Sequence, residues 1–136
     1  MKATLRAGVS RVRCIVVDRD RSIGFMGEED RVYGTPDLVR DIEHTFRDLL
    51  LEHTDPGEDS VGMEIAVRHM APTLLGMGVE IAATVAAVDG RRIFTITAKD
   101  DIEPITTGGH ARFVVDVKKT HERLKAKVAK RQAPFR

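Results

Sequence analysis

From Thr35 onward the apolar positions keep two different periods, and the change between them divides the chain. Leu38, Val39, Ile42, Phe46, Leu49 and Leu50 recur at spacings of three and four, which is the signature of one buried face of an α-helix. Pro36 suits a first helical position, Asp37 complements the positive helix end, and Thr35 stands where an N-cap hydroxyl accepts a backbone N–H. The helix should stop near Glu52–Asp55, because Pro56-Gly57 cannot continue it.

The period then falls to two. Met63, Ile65, Val67 and His69 take one face and Glu64, Ala66, Arg68 and Met70 the other, which predicts a strand with a single apolar face. A further run from Val79 to Val88 passes through Asp89-Gly90, a strong hairpin signal, into Arg91 to Thr97. The last run, His110 to Val117, sets Ala111, Phe113, Val115 and Val117 against His110, Arg112, Val114 and Asp116. Upstream, Val12 to Val17 is a short β-branched run, and Asp18 to Ser22 with Gly24 and Gly27 reads as a polar connection. One helix followed by about four antiparallel strands is an α+β arrangement, in which the sheet curls around the helix and buries its stripe. From Lys118 the chain is basic with only Leu124 and Val128 as apolar anchors, a pattern that predicts a solvated terminal helix.

Composition narrows the partners. A chain of 136 residues makes one domain over 1–136, with 118–136 as its tail. A formal net charge of +1 argues against a dedicated nucleic-acid binder. No stretch reaches the roughly 18 apolar residues of a membrane span, and the basic start lacks the apolar run of a signal peptide, so the expectation is a cytoplasmic protein without membrane contact. Cys14, the only cysteine, rules out an intramolecular disulfide, and its apolar neighbours predict a small buried strand residue.

Three side chains carry the candidate chemistry. Glu43 falls at the margin of the helical stripe, where partial desolvation makes a carboxylate a better proton acceptor; the alternative is a surface pair with Arg47 one turn on. A Thr35 hydroxyl at the positive helix end can cap the helix and also stand where an oxyanion or attacking water is stabilised. His69, on the apolar face of its strand, is either a hydrogen-bonded core residue or a proton-transfer group. His110 and Arg112, after Gly108-Gly109, form a second basic pair suited to an anionic group or a pocket wall unless both lie at the surface. Around His69 there is no HxxxH or ExxH spacing, and no cysteine cluster exists, so no metal is expected.

Five segments together, Thr35-Pro-Asp-Leu-Val-Arg-Asp-Ile-Glu43, Asp55-Pro-Gly-Glu-Asp-Ser-Val-Gly62, Val67-Arg-His69, Asp89-Gly-Arg-Arg92 and Gly108-Gly-His-Ala-Arg112, resemble the fluoroacetyl-CoA thioesterase family of hotdog-fold proteins. The resemblance covers Thr35 to Val117. It implies a hotdog fold, an antiparallel sheet wrapped around one central helix, and a homodimer with active sites near the subunit interface. It also implies hydrolysis of a small or medium acyl-CoA thioester by Thr35, Glu43 and His69, with Gly62, Gly108, His110 and Arg112 at the substrate. Coenzyme A is then part of the substrate, and no other cofactor is implied. Upstream of Thr35 the chain departs from the family, since the connection from Val17 is shorter than the family's Phe-bearing lid and holds only Phe25 and Tyr33. The expectation is therefore a general or different acyl group, without selectivity for fluorine. Two rivals use the same fold: an acyl-CoA binding module without turnover, and an enoyl-CoA hydratase or dehydratase, whose local Asp/His motif is absent here.

Overall fold

The helix predicted from the three-and-four spacing runs over Thr35–Leu51 (α1) and buries Leu38, Ile42, Phe46, Leu49 and Leu50. Its start differs from the expectation. Gly34 is the N-cap, without a side-chain capping bond, so Thr35 is the first helical residue and Pro36 the second. The reason is that the Thr35 hydroxyl is engaged elsewhere, by His69. The computed structural model describes residues 1–95 and 98–131; Ile96 and Thr97 of the expected hairpin arm, and the tail from 132 to 136, lie outside them.

The strands are β1 (Ser10–Val16), β2 (Ser22–Ile23), β3 (Val32–Tyr33), β4 (Glu58–His69), β5 (Gly78–Asp89), β6 (Arg92–Thr95), β7 (Ala98–Asp100) and β8 (Pro104–Asp116). Six of them form one antiparallel sheet in the order β1-β5-β6-β8-β4, with β7 paired to both β5 and β8. The sheet and α1 enclose a core in which Phe46, Leu49 and Leu50 meet Val85, Ile93 and Val114 at one end. At the other end Leu38 and Ile42 meet Val17, Tyr33, Ile81 and Ile105. This is the hotdog arrangement of an α+β protein, and the Asp89-Gly90 turn joins β5 to β6 as its sequence requires, with Asp89 opposite Arg92.

Register decides which side chains reach the helix. Gly62 pairs with Arg112 but Glu64 pairs with Ala111, so Met63 is an extra, bulged residue in β4. A bulge of one residue exchanges the two faces of a strand. Ser60 is buried before it, Ile65, Val67 and His69 turn inward after it, and Met63, expected on that inward face, is instead 46% exposed. On β8 the inward face belongs to His110, Arg112 and Val114, with His110 only 2% and Arg112 only 5% exposed; neither is a surface group. Gly108 serves this pairing. At φ +142° it lies so close to β4 that an added Cβ would stand 1.9 Å from the Ala66 carbonyl oxygen, so any side chain there must force the two strands apart.

Two expectations for the N-terminal part are corrected. Cys14 is exposed, because the half-buried face of β1 is taken by Arg11, Arg13 and Ile15, with Arg11 paired to Glu52, the C-cap of α1, and Arg13 to Asp48 within it. The polar connection before Thr35 is also built: β2 and β3 form a ribbon, a 3-10 turn spans Glu28–Asp30, and Tyr33 N–H donates to the Thr73 carbonyl at 2.8 Å. After β8, Asp116 accepts from Lys119 N–H and caps α2 (Val117–Lys130), a helix with no buried residue, as its sparse apolar positions predict. Among the described residues no helix is long and apolar enough to cross a membrane.

Candidate active site

Elements α1 and β4 cross with Thr35 near the end of β4 and Glu43 near its bulge, which sorts the candidate side chains into two groups. In the first, Thr35 Oγ1 and His69 Nδ1 are 2.8 Å apart. The His69 ring meets Tyr33 edge to face at 6.2 Å between centroids, and its Nε2 is buried with no hydrogen-bond partner among the described residues. Burial pushes the His69 pKa below the ordinary histidine range, so the ring is neutral at neutral pH and able to accept a proton.

In the second group, Glu43 lies over Gly62. A Cβ placed on Gly62 would stand 3.4 Å from Glu43 Oε1, 3.5 Å from His110 Cε1 and 3.7 Å from Arg112 Nη1, so the missing side chain is what keeps a space open between these three. The surface pair of Glu43 with Arg47 is not made, since Arg47 binds Asp59 at 3.0 and 2.6 Å. Among the described residues the Glu43 carboxylate forms no hydrogen bond or ion pair; it acts on Arg112 and His110 through space. Arg112 is fixed by Ser60, donating from Nε to its hydroxyl and from Nη2 to its carbonyl, each at 2.8 Å.

The tautomer of His110 follows from its partners. A carbonyl can only accept, so the contact of 3.0 Å with Glu64 O puts the proton on Nδ1, and Nε2 is left to accept from Arg112 Nη1 at 3.4 Å. Protonation would set two donors against each other. Burial lowers the His110 pKa, with the Arg112 charge adding to it against the Glu64 carbonyl and the Glu43 carboxylate. Above the unfolded value of 6.5 this residue costs the fold nothing. As pH falls through that value the unfolded chain takes up a proton the folded chain refuses, so stability declines. His69 adds to the same slope. The urea midpoint should therefore drop between about pH 7.5 and about pH 5.5, and drop less in His110→Gln. An equal fall in both proteins would remove His110 from the account.

Residues 17–118 match the family model for the fluoroacetyl-CoA-specific thioesterase. The chain belongs to this family. It is accordingly a thioester hydrolase of the hotdog fold. The fluoroacetyl-CoA thioesterase of Streptantibioticus cattleyicolor is 27% identical over 135 residues, covering 93% of this chain and 97% of that protein. A solved structure of the fluoroacetyl-CoA thioesterase FlK superposes with a TM-score of 0.81 at 25% identity, covering 96% of this chain and 98% of the other. A hotdog-like protein from Thermanaerovibrio acidaminovorans shares the fold at a TM-score of 0.83 and 24% identity, over 92% of this chain and 94% of that one.

Within this family member, four of the expected residues, Glu43, Gly62, His110 and Arg112, come together, Thr35 meets His69, and Gly108 stands apart in the β4–β8 pairing. Sequence reasoning missed a third arrangement. Asp41, only 5% exposed on α1, accepts from Tyr33 Oη and from Arg21 Nε, and this burial and bonding push the Tyr33 phenol far up. The available signal was Asp41 next to Ile42 within the helical stripe, a carboxylate one position from a core residue.

Proposed function

We propose that this chain hydrolyses acyl-CoA thioesters with Thr35, Glu43 and His69, and that each site draws these groups from two copies of the chain. The observation that carries the reading is the pair of half-sites: a Thr35–His69 contact of 2.8 Å and, separately, an unpaired carboxylate over Gly62. Glu43 lies eight residues after Thr35 on α1, a rise of about 12 Å, so the two side chains do not meet within one chain. Strand β4 is one edge of the sheet, and Val61 and Met63 on it, with Met70 just after it, are about half exposed, at 46%, 46% and 50%. A long apolar edge of this kind calls for a cover. Antiparallel pairing of β4 with a second β4, centred near Ile65, would lay His69 beside the partner's Gly62 and bring the halves together.

In that assembly Glu43 either draws a proton from a water whose oxygen attacks the thioester carbonyl, or attacks the carbonyl itself to form an anhydride that water then hydrolyses. The carbon–sulfur bond breaks as the thiolate leaves, and the proton released by the water reaches that thiolate through His69, which is held through Nδ1 by Thr35 and accepts the proton before passing it on. Free backbone N–H groups at the start of α1, or those near Gly62, hold the developing oxyanion. Arg112 and His110 stand beside the carboxylate across Gly62. The two fluoroacetyl-CoA thioesterases named above act on fluoroacetyl-CoA by name; the ribbon-forming segment before Thr35 and its Phe25, 88% exposed, favour a different acyl group here.

The test is thiol release from a panel of acyl-CoAs that includes fluoroacetyl-CoA. Release with several members of the panel is expected, without a dominant fluoroacetyl preference. Tight acyl-CoA binding without turnover would make the protein a binding module, and hydration of an enoyl-CoA would make it a hydratase.

A further inference from the structure

A cleft of about 240 Å3 opens beside the Thr35–His69 pair, between the β2–β3 ribbon and the segment that follows β4. Beyond Thr35 and His69 its walls are Ile23, Val32, Tyr33, Met70, Ala71 and Pro72. Most of this lining is apolar, and several of its polar groups are already paired. The Tyr33 phenol is committed to Asp41, the Tyr33 N–H donates to Thr73 O, the Met70 N–H donates to Ile105 O at 2.8 Å, and Pro72 has no N–H. The chain flanking the cleft continues apolar, with Phe25, Met26 and Leu74 at 88%, 63% and 54% exposed.

Resting on the thioesterase reading, we propose that this cleft takes the acyl chain of the substrate, and that the preferred acyl group is an unsubstituted apolar chain of several carbons. The other candidate occupant, the pantetheine arm of coenzyme A, carries two amides, and against walls that are mostly apolar and whose Tyr33 and Met70 donors are committed these amides would find few partners. A hydrocarbon chain loses nothing there and gains by leaving water. A two-carbon acyl group would leave most of the cleft empty. Thr35 and His69 at the mouth put the thioester carbonyl where the chain enters, so the cleft measures acyl length from the reacting carbon.

The experiment compares kcat/KM for acetyl-, butyryl- and hexanoyl-CoA. Each methylene moved from water into the cleft is worth roughly fourfold, so hexanoyl-CoA should exceed acetyl-CoA by at least about tenfold even with partial burial. Ala71→Phe, which narrows the cleft, should reduce the hexanoyl-to-acetyl ratio by about tenfold. Met70→Lys, which charges its half-exposed rim, should move the ratio the same way and serves if the first variant does not fold. A wild-type ratio at or below unity overturns the proposal. So does an equal loss with acetyl- and hexanoyl-CoA in the variants, which would give the cleft to the coenzyme A arm. If no thioester is turned over, the hydrolase reading fails by itself, and calorimetry with the unreactive hexyl and ethyl thioethers of coenzyme A decides the cleft. At least about tenfold tighter hexyl binding supports it, and equal affinities reject it.

Discussion

Glu43→Gln lowers the turnover of a short acyl-CoA at least about a hundredfold while leaving the unfolding temperature near that of the wild type. The two halves of this result come from the same feature. The Glu43 carboxylate has no hydrogen-bonded or ion-paired partner among the described residues, because Arg47 is committed to Asp59 and Arg112 to Ser60. An amide of the same shape therefore breaks no bond of the fold. It does remove the carboxylate that lies over Gly62 and is able to attack a carbonyl or take a proton from water, and general-base or nucleophilic roles of this kind carry losses of two or more orders of magnitude. A structural role predicts the opposite pattern. If Glu43 served only as the through-space counter-charge of Arg112, whose pKa burial pulls down and Glu43 pushes back up, the variant would lose stability and keep its rate. Thiol-release kinetics and a thermal melt on the same preparation separate the two, and turnover within about threefold of wild type would take Glu43 out of the mechanism.

The parts of the fold written in long, regular periods were legible. Leu38 to Leu50 encode α1 because a three-and-four stripe is laid down by burial against a sheet, and Asp89-Gly90 encodes its hairpin because the turn itself requires those residues. What failed was face assignment wherever one residue shifts the count. Met63 was expected to point inward, but the bulge at that position exchanges the faces of β4, and nothing in the local residues announces it. On β8 alternation offered two faces, Ala111 with Phe113 or His110 with Arg112, and did not say whether the second was a pocket wall or a surface. The second is buried because Ser60, the Glu64 carbonyl and the Phe46 ring across the fold satisfy those polar groups. Burial of Cys14 was misjudged for a related reason. The alternating charges Arg11 and Arg13 face α1, where Glu52 and Asp48 accept them, and Cys14 is turned out.

The candidate site was legible as residues but not as a place. Intervals along the chain put Thr35, Glu43 and His69 in order, and they say nothing about whether one chain can close the arrangement. The ribbon of β2 and β3, two residues each, is too short to show any period, yet it supplies Ile23, Val32 and Tyr33 to the cleft beside His69. Asp41, which no motif or spacing singled out, is the anchor of Tyr33 and hence of the ring that packs against His69.

Two inactive variants, His69→Ala and Glu43→Gln, recover activity when their subunits are mixed. In the paired-β4 assembly each site takes Thr35 and His69 from one copy and Glu43 from the other. A hybrid of the two variants then carries one site with both lesions and one with neither. Random pairing of equal amounts makes about half the dimers hybrid, and half of their sites are intact, so co-refolded or co-expressed protein should show roughly a quarter of wild-type turnover. Each variant alone should stay at or below about a hundredth. The geometry sets this expectation: the helix rise of about 12 Å between Thr35 and Glu43 keeps the carboxylate away from the Thr35–His69 contact of its own chain. A site closed within one chain gives no recovery on mixing, because every subunit is then defective in its own site. Sedimentation of the mixture shows whether hybrids formed, so a hybrid dimer without activity would return all three groups to one chain and leave the edge of β4 with a purely structural role.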